Sequence, residues 1–387
     1  MTTFHSHDTD PSTIHTEANP TGTATRDAEG QPGATALDMD RIDHLVEPKQ
    51  ARDATVVVVG LGSGGFPVMQ QLAMSGVRRW HLFDPDTLDG VNLVKHPALR
   101  ADLGTAKVDI ATRWLRDRNP NVVVHGHVED SRTSAALEAA VQDADLLVVA
   151  VDNRGSREQL NELAIRFATP MVVGQVFRGG FGGEVYAFLP ADTACHDCLG
   201  AVCEKQGWVY DPATGPDAEE QRRVYGLGER DFQRSGLACD LGMIASLHAS
   251  VCLSVLFGAD DGGIPKHHSN WFVLGTRPKA GIFSASFQTR QHRIRPQRDC
   301  AHGCGAGARP GTSAATLGVH SLATADMVAR AWRRLSRHAH PDRHAQASAS
   351  EQDRAHRRFL ALSEARDDLV GALNAPEAAR ATTGEPT

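Results

Sequence analysis

The sequence predicts an α/β protein with a doubly wound, mostly parallel sheet, an antiparallel extension, and a small all-α module behind it. Three observations predict this. From Thr55 onward, apolar strand-like runs alternate with amphipathic helical stretches. The strand-like runs lack polar alternation, as expected of strands covered on both faces. After Gly183 the pattern changes to short strands without intervening helices, and after a Gly/Pro-rich stretch at 305–314 it becomes helical and arginine-rich.

In order, residues 1–38 are rich in Thr, Asp, His, Gly and Pro, and their composition predicts disorder. "MDRIDHLV" at 39–46 reads as a short helix. "TVVVVG" is a strand, "FPVMQQLAMSG" a helix ended by Gly76, and "RRWHLFD" the next strand. "AKVDIATRWLRDRN" is a helix, "NVVVHGHV" a strand, "SAALEAAVQ" a helix, and "DLLVVAVDN" a buried strand. "REQLNELAIRFA" and "PMVVGQVF" add one more helix and strand. "GEVYAFLP", "NWFVLG" and "SFQTRQHRIRP" read as antiparallel strands, with a polar insertion near 204–235 and a long apolar helix from Leu241 between them. The implied organisation is a disordered segment (1–38), a main domain (39–304), a linker (305–314), a helical module (315–372) and a disordered tail (373–387).

The bulk numbers exclude some classes. A net charge of −7 gives no basis for nucleic-acid binding. No apolar run reaches the ~18 residues of a membrane span, and the nearest, Leu241–Gly258, carries His248 and reads as a buried helix. The N-terminus lacks a basic region followed by an apolar stretch, so a cytoplasmic location is expected. The cysteine count is odd, at seven, and four of them form the close pairs Cys195/Cys198 and Cys300/Cys304. That pattern points to metal ligation and reactive thiols rather than disulfides.

Gly60, Gly62 and Gly65 fit G-x-G-x-x-G at a strand-to-helix turn, where the backbone can approach a phosphate and the helix N-terminus favours an anion. Asp84 ends the next strand, where a carboxylate can grip ribose hydroxyls. This much fits a dinucleotide or ATP equally. The following stretch supplies Asn92, Lys95, His96, Arg100 and Lys107, and Asp152-Asn153 ends the fourth strand. Several cations and a carboxylate around one phosphate site suit nucleotidyl transfer: cations stabilise charge at the α-phosphorus, and an Asp holds magnesium.

"GLGSGG", "DPD", "VNLVKH", "DLGTAKV" and "VDN", in this order, resemble the motifs of the ThiF/MoeB/ubiquitin-activating-enzyme superfamily of E1-like adenylyltransferases with a Rossmann-like fold. The resemblance runs from about Thr55 to Cys304. It implies magnesium-ATP-dependent adenylation of the C-terminal glycine of a ubiquitin-like or sulfur-carrier protein. By position it implies that Asp84 binds the ribose, with Asp86 as a further nucleotide-binding candidate, that Asn92, Lys95 and Lys107 lie at the phosphates, and that Asp152 holds magnesium beside Asn153. Lys95 stands where the family usually has Arg, which keeps the charge but loses the bidentate fork. Arg100 nearby offers a compensating guanidinium, and the further Arg that the resembling family often supplies from the N-terminal segment would be Arg41 or Arg52. Homodimers are common in the family.

Cys195-x-x-Cys198 and Cys300-x-x-x-Cys304 would close a tetrahedral structural zinc site, and many members of the resembling family carry two such pairs. Of the remaining thiols, Cys239 stands at the start of the long apolar helix, where a helix N-terminus favours the thiolate. Cys203 opens the polar insertion and is the second candidate nucleophile, whereas Cys252 is mid-helix and reads as core.

In the C-terminal module, Val328, Trp332 and Leu335 form an apolar stripe, and Arg330, Arg333, Arg334 and Arg337 form a basic face. Phe359, Leu362 and Ala365 on the next helix would pack back, and His340-Pro341-Asp342 occupies the loop. "LGV", the basic helix, this tripeptide and the following helix resemble a J-domain, which implies a DnaK-type chaperone as partner. The usual aromatic pair before "LGV" is missing.

The leading expectation is therefore an ATP-dependent activating enzyme for a ubiquitin-like protein, with thioester transfer to Cys239 or Cys203 and a conjugating enzyme downstream as further steps. The alternatives are a chaperone adaptor whose nucleotide domain only binds, and a sulfur-carrier adenylyltransferase.

Overall fold

The computed structural model describes residues 37–177, 179–190, 192–208, 236–259, 263–297, 300–304, 313–319, 323–345 and 348–374. The N-terminal segment through residue 36, most of the polar insertion (209–235), most of the linker (305–312) and the tail from 375 lie outside the described residues.

The first helix is α1 (Pro48–Asp53), capped by the Glu47 carboxylate, which accepts the Lys49 and Gln50 amide N–H groups. Residues 40–46, expected as a helix, form turns instead. Proline is favoured in the first turn of a helix, and Pro48 starts α1 just beyond them. Strand β1 (Thr55–Val59), α2 (Gly65–Met74), β2 (Arg79–Phe83), α3 (Lys107–Arg118) and β3 (Val123–His127) follow. Next come α4 (Ala135–Asp143), β4 (Leu146–Val149), α5 (Arg154–Arg166) and β5 (Met171–Val176). Strand β6 (Gly182–Phe188), α6 (His196–Gln206), α7 (Ala238–Phe257), β7 (Trp271–Gly275) and β8 (Gln288–His292) complete the main domain.

The eight strands form one sheet in the order β3-β2-β1-β4-β5-β6-β7-β8. Strands β1 to β5 pair in parallel, and β6, β7 and β8 extend the sheet antiparallel. Strand β1 explains the absence of polar alternation. Val56 and Val58 enter the core beneath α2, α3 and α7, while Val57 and Val59 enter the core beneath α4, α5 and α6. Both faces of the strand are dry, so every position is apolar. Helix α7 is the one described helix long and apolar enough to cross a membrane, and Leu241, Ile244, Ala245, Ala249 and Cys252 on it are buried in this core.

The C-terminal module comprises α8 (Ser313–Leu317), α9 (Ala325–Ala339), a 3₁₀ turn (Pro341–His344) and α10 (Ala349–Asn374). Helix α8 begins two residues inside the expected linker. Val328, Leu362 and Ala365 form the module's own core, with Trp332, Leu335 and Phe359 packed against it. Arg366 lies over the Trp332 ring at 4.3 Å, and the Trp332 indole N–H donates to Ser363 Oγ at 3.3 Å. The basic face is split between the interior and solvent. Arg334 is buried, Arg337 Nη2 lies 3.5 Å from Asp145 Oδ1, and Arg330 stacks over Phe167 at 5.2 Å. Arg333 alone of the four is exposed without such a contact among those described. Asp145 precedes β4, and its Oδ2 accepts the Thr55 N–H at 2.9 Å. The module is thereby fastened to the N-terminal end of the parallel strands.

Candidate functional site

The opposite, C-terminal ends of β2, β1 and β4 lie side by side, and chain connectivity reverses between β1 and β4. Open α/β sheets bind ligands in the crevice at such a switch point. Gly60 follows β1 with a φ of +93°, and a Cβ there would meet the Ala150 carbonyl oxygen at 2.6 Å. A Cβ on Gly65 would sit 1.9 Å from the Gly60 carbonyl oxygen. These two glycines are required by the protein's own packing. Gly62 faces open space, so its bareness serves whatever approaches from outside.

The peptide units flanking Leu61 are gripped from two sides. Its N–H donates to Asp84 Oδ2 at 2.6 Å, and its carbonyl oxygen is 2.9 Å from His96 Nε2. His96 Nδ1 accepts the Ala98 N–H at 3.1 Å, so Nε2 carries the proton and the ring is neutral. Burial pushes the pKa of this imidazole down. The ring also packs against Phe66, with centroids 5.0 Å apart. His96, read from the sequence only as one of several cations, is instead a brace for the glycine loop.

Asp84 is buried and also accepts the Asp86 N–H at 2.9 Å. Burial raises its pKa, against the pull of Lys107 and the two N–H donors. Lys107, first residue of α3, places Nζ 2.6 Å from Asp86 Oδ2 and 3.9 Å from Asp84 Oδ1. Asn92 caps a 3₁₀ turn, its Oδ1 accepting the Asp89 N–H at 3.0 Å. Lys95 follows on the same loop, half-buried, its N–H donating to the Asn92 carbonyl at 3.0 Å. Asp152 is exposed just past β4, and Asn153 caps α5 by accepting the Ser156 N–H at 2.8 Å. The structure thus brings Gly60, Gly62, Gly65, Asp84, Asp86, Lys107 and Asp152 to one sheet edge, with Asn92 and Lys95 on the loop that leads from it. Arg41, Arg52 and Arg100 are all exposed.

A second cluster lies beyond α5. The sulfurs of Cys195, Cys198, Cys300 and Cys304 are all within 4.8 Å of one another. Cys195 and Cys300 are 3.6 Å apart, and Cys198 and Cys304 are 3.5 Å apart, all as free cysteines. A tetrahedral metal with ligand bonds of about 2.3 Å requires sulfurs about 3.8 Å apart, so the set fits a closed four-thiolate site. His302 Nε2 and Asp197 Oδ2 pair with each other at 2.5 Å and leave the sulfurs to themselves.

The two candidate nucleophiles differ sharply. Cys203 is fully buried on α6, and burial together with the nearby Glu184 pushes its thiol up to about 12. Cys239 is exposed in the first turn of α7, beside Asp240, which pairs with Arg277 at 2.9 Å. Cys252 is buried, as expected.

The fold is a doubly wound α/β sheet with a bare glycine loop and a buried acid beside Lys107 at its switch point, and with a cluster of four cysteines beyond α5. The chain belongs to the ThiF family, whose profile matches residues 37–327. It is 33% identical over 160 residues to the SAMP-activating enzyme E1 of Haloferax volcanii, covering 41% of this chain and 58% of that one. It is 32% identical over 254 residues to the adenylyltransferase and sulfurtransferase uba4 of Emericella nidulans, covering 65% of this chain and 48% of that one. The sulfur carrier protein ThiS adenylyltransferase of Escherichia coli is 28% identical over 211 residues, covering 54% and 74%. The chain thus spans about half the length of several of the curated relatives it matches. Among solved structures, E. coli MccB in complex with N-formylated MccA superposes with a TM-score of 0.52 at 19% identity, covering 67% of this chain and 69% of that one. That likeness concerns the fold alone.

Proposed function

We propose that this protein is an ATP-dependent activating enzyme that adenylates the C-terminal glycine of a ubiquitin-like protein. The observation that carries this reading is the pairing of Asp84, just past β2, with Lys107 on one side of the glycine loop, while Asp152 follows β4 on the other side of β1. In the proposed reaction, the partner's terminal carboxylate oxygen attacks the α-phosphorus. The new bond is a mixed carboxylic–phosphoric anhydride, and the bond to pyrophosphate breaks. Asp84 holds the ribose hydroxyls. Lys107 and Lys95 neutralise the charge that develops on the phosphates, and Asn92 donates hydrogen bonds there. Asp152 would hold magnesium, which supplies charge neutralisation on the triphosphate. The four cysteines would hold zinc as a structural tie.

In a second step, the Cys239 thiolate attacks the acyl carbon, forms a thioester and expels AMP. Its exposure and its place in the first turn of a 20-residue helix support Cys239 over Cys203. Mass analysis of the reaction tests both steps. Incubation with ATP and a glycine-tailed ubiquitin-like protein should yield the acyl-adenylate, and a thiol-sensitive adduct that Cys239→Ser removes while sparing the adenylate. Absence of the adenylate overturns the reading.

A sulfur-carrier partner is the second reading, favoured by the relatives that act on ThiS. Val91, Val94, Leu99 and Leu103 are exposed on the loops beside the site and suit a homodimer contact. The His340-Pro341-Asp342 loop is exposed at His340 and Asp342, which suits docking of a DnaK-type partner. His340 Nδ1 accepts the Asp342 N–H at 3.3 Å and its ring packs edge-on to Phe359, so the tripeptide is held in shape.

A further inference from the structure

Helix α5 carries two buried polar side chains one turn apart, and neither is explained by the packing of an apolar face. Arg157 is 5% exposed and Asn161 is fully buried. Burying a guanidinium or an amide is costly unless its hydrogen bonds are placed. Arg157 Nε and Nη2 both donate to the Val151 carbonyl oxygen, at 3.1 and 3.0 Å. Val151 is the residue before Asp152. Four residues on, Asn161 Oδ1 accepts the His196 N–H at 2.9 Å. His196 is the residue after Cys195, first of the four thiols. One rigid helix turn therefore grips the backbone next to the candidate magnesium carboxylate and the backbone next to the four-cysteine cluster.

We infer that Arg157 and Asn161 are positioning residues that couple metal occupancy of the cysteine cluster to the placement of Asp152. This rests on the nucleotide reading of the site proposed above. The bidentate hold of Arg157 fixes the direction in which the chain leaves β4, and with it where the Asp152 carboxylate stands. A filled cluster fixes the start of α6, and Asn161 transmits that to α5. Lysine at 157 keeps the charge but offers a single point contact, so the carbonyl loses its fork.

The test is calorimetric binding of a non-hydrolysable ATP analogue with and without magnesium, alongside zinc content per chain. It needs no partner protein. For the wild type, magnesium strengthens binding. For Arg157→Lys the expected result is unchanged zinc, unchanged binding without magnesium, and a magnesium enhancement reduced about tenfold. For Asn161→Ala, zinc content falls and the magnesium enhancement falls with it. Should Asn161→Ala not fold, Cys300→Ser takes its place in the same comparison. A full magnesium enhancement in Arg157→Lys, or in a zinc-depleted variant, overturns the inference. A wild type that shows no magnesium enhancement overturns instead the nucleotide reading beneath it.

Discussion

Lys107 Nζ sits 2.6 Å from Asp86 Oδ2, in an ion pair whose acid is 63% exposed while the lysine is 10% exposed. Such a half-solvated pair contributes about 1 kcal/mol or less, so a triphosphate can draw the ammonium away from Asp86 at small cost. Lys107→Ala should lower kcat/KM for nucleotide turnover by about 100-fold, whereas Asp86→Asn should change it by less than about threefold. Removing Lys107 also takes away a pull that holds the buried Asp84 carboxylate down. The Asp84 pKa then rises further, and the acidic limb of ATP binding moves to higher pH. Binding titrations across pH 4–8 check the direction; an unshifted limb would count against Asp84 as the ribose ligand.

The glycine loop separates packing from ligand space. At Gly65 a methyl group collides with the Gly60 carbonyl oxygen at 1.9 Å. Gly65→Ala should destabilise the protein by about 2 kcal/mol or more and weaken ATP binding with it. At Gly62 a methyl meets nothing within 4 Å. Gly62→Ala should leave the unfolding free energy within about 0.5 kcal/mol of wild type while weakening ATP binding. Equal effects at the two positions would be the wrong answer for this site.

Glu184 gives a pH signature. It is buried on β6, with the Trp271 indole N–H donating to Oε2 at 2.9 Å and the Gln175 amide donating to Oε1. Burial raises its pKa to about 7, against those two donors and Arg157. An acid whose folded pKa is raised binds its proton more tightly when folded. Stability is then fully present below the unfolded value of 4.5 and declines as pH rises toward about 7. Glu184→Gln should flatten that decline, by an amount on the order of 3 kcal/mol at most. Unfolding curves at pH 5 and pH 8 measure it; an unaltered slope in the variant contradicts the assignment.

One acid, Asp145, meets the cationic face of α9 at the foot of β4. Arg334 is buried, and burial lowers its guanidinium to about 10 despite the charge of Asp145. Breaking one side of a buried pair strands the other charge, at about 3–5 kcal/mol. Asp145→Asn, which can still accept the Thr55 N–H, removes the charge facing the buried Arg334 and the half-exposed Arg337 and should therefore lower stability, by about 1 kcal/mol or more. Loss of less than about 0.5 kcal/mol in chemical denaturation would mean that the cationic face of α9 is held by other contacts.

Much of this was legible in the sequence because the parallel strands and the glycine loop obey local rules. β1 is apolar at every position because both faces are covered, and Gly60 and Gly65 are bare because backbone lies against them. The four cysteines announced themselves through spacing. The roles of His96, Arg157, Asn161 and Glu184 were not legible, since each is defined by a partner 6 to 87 residues away that no local pattern marks. The burial of Arg334, the stacking of Arg330 on Phe167 and the approach of Arg337 to Asp145 were not legible for a similar reason. An amphipathic period shows that a face is charged, but not that an acid at the foot of β4 waits for it.

The most direct test of the central claim is ATP–pyrophosphate exchange in the presence of a small glycine-tailed ubiquitin-like protein. Exchange that requires the partner, requires its terminal glycine and disappears in Asp152→Ala is the predicted result. No exchange with the cognate partner present, or full exchange in Asp152→Ala, would contradict the account.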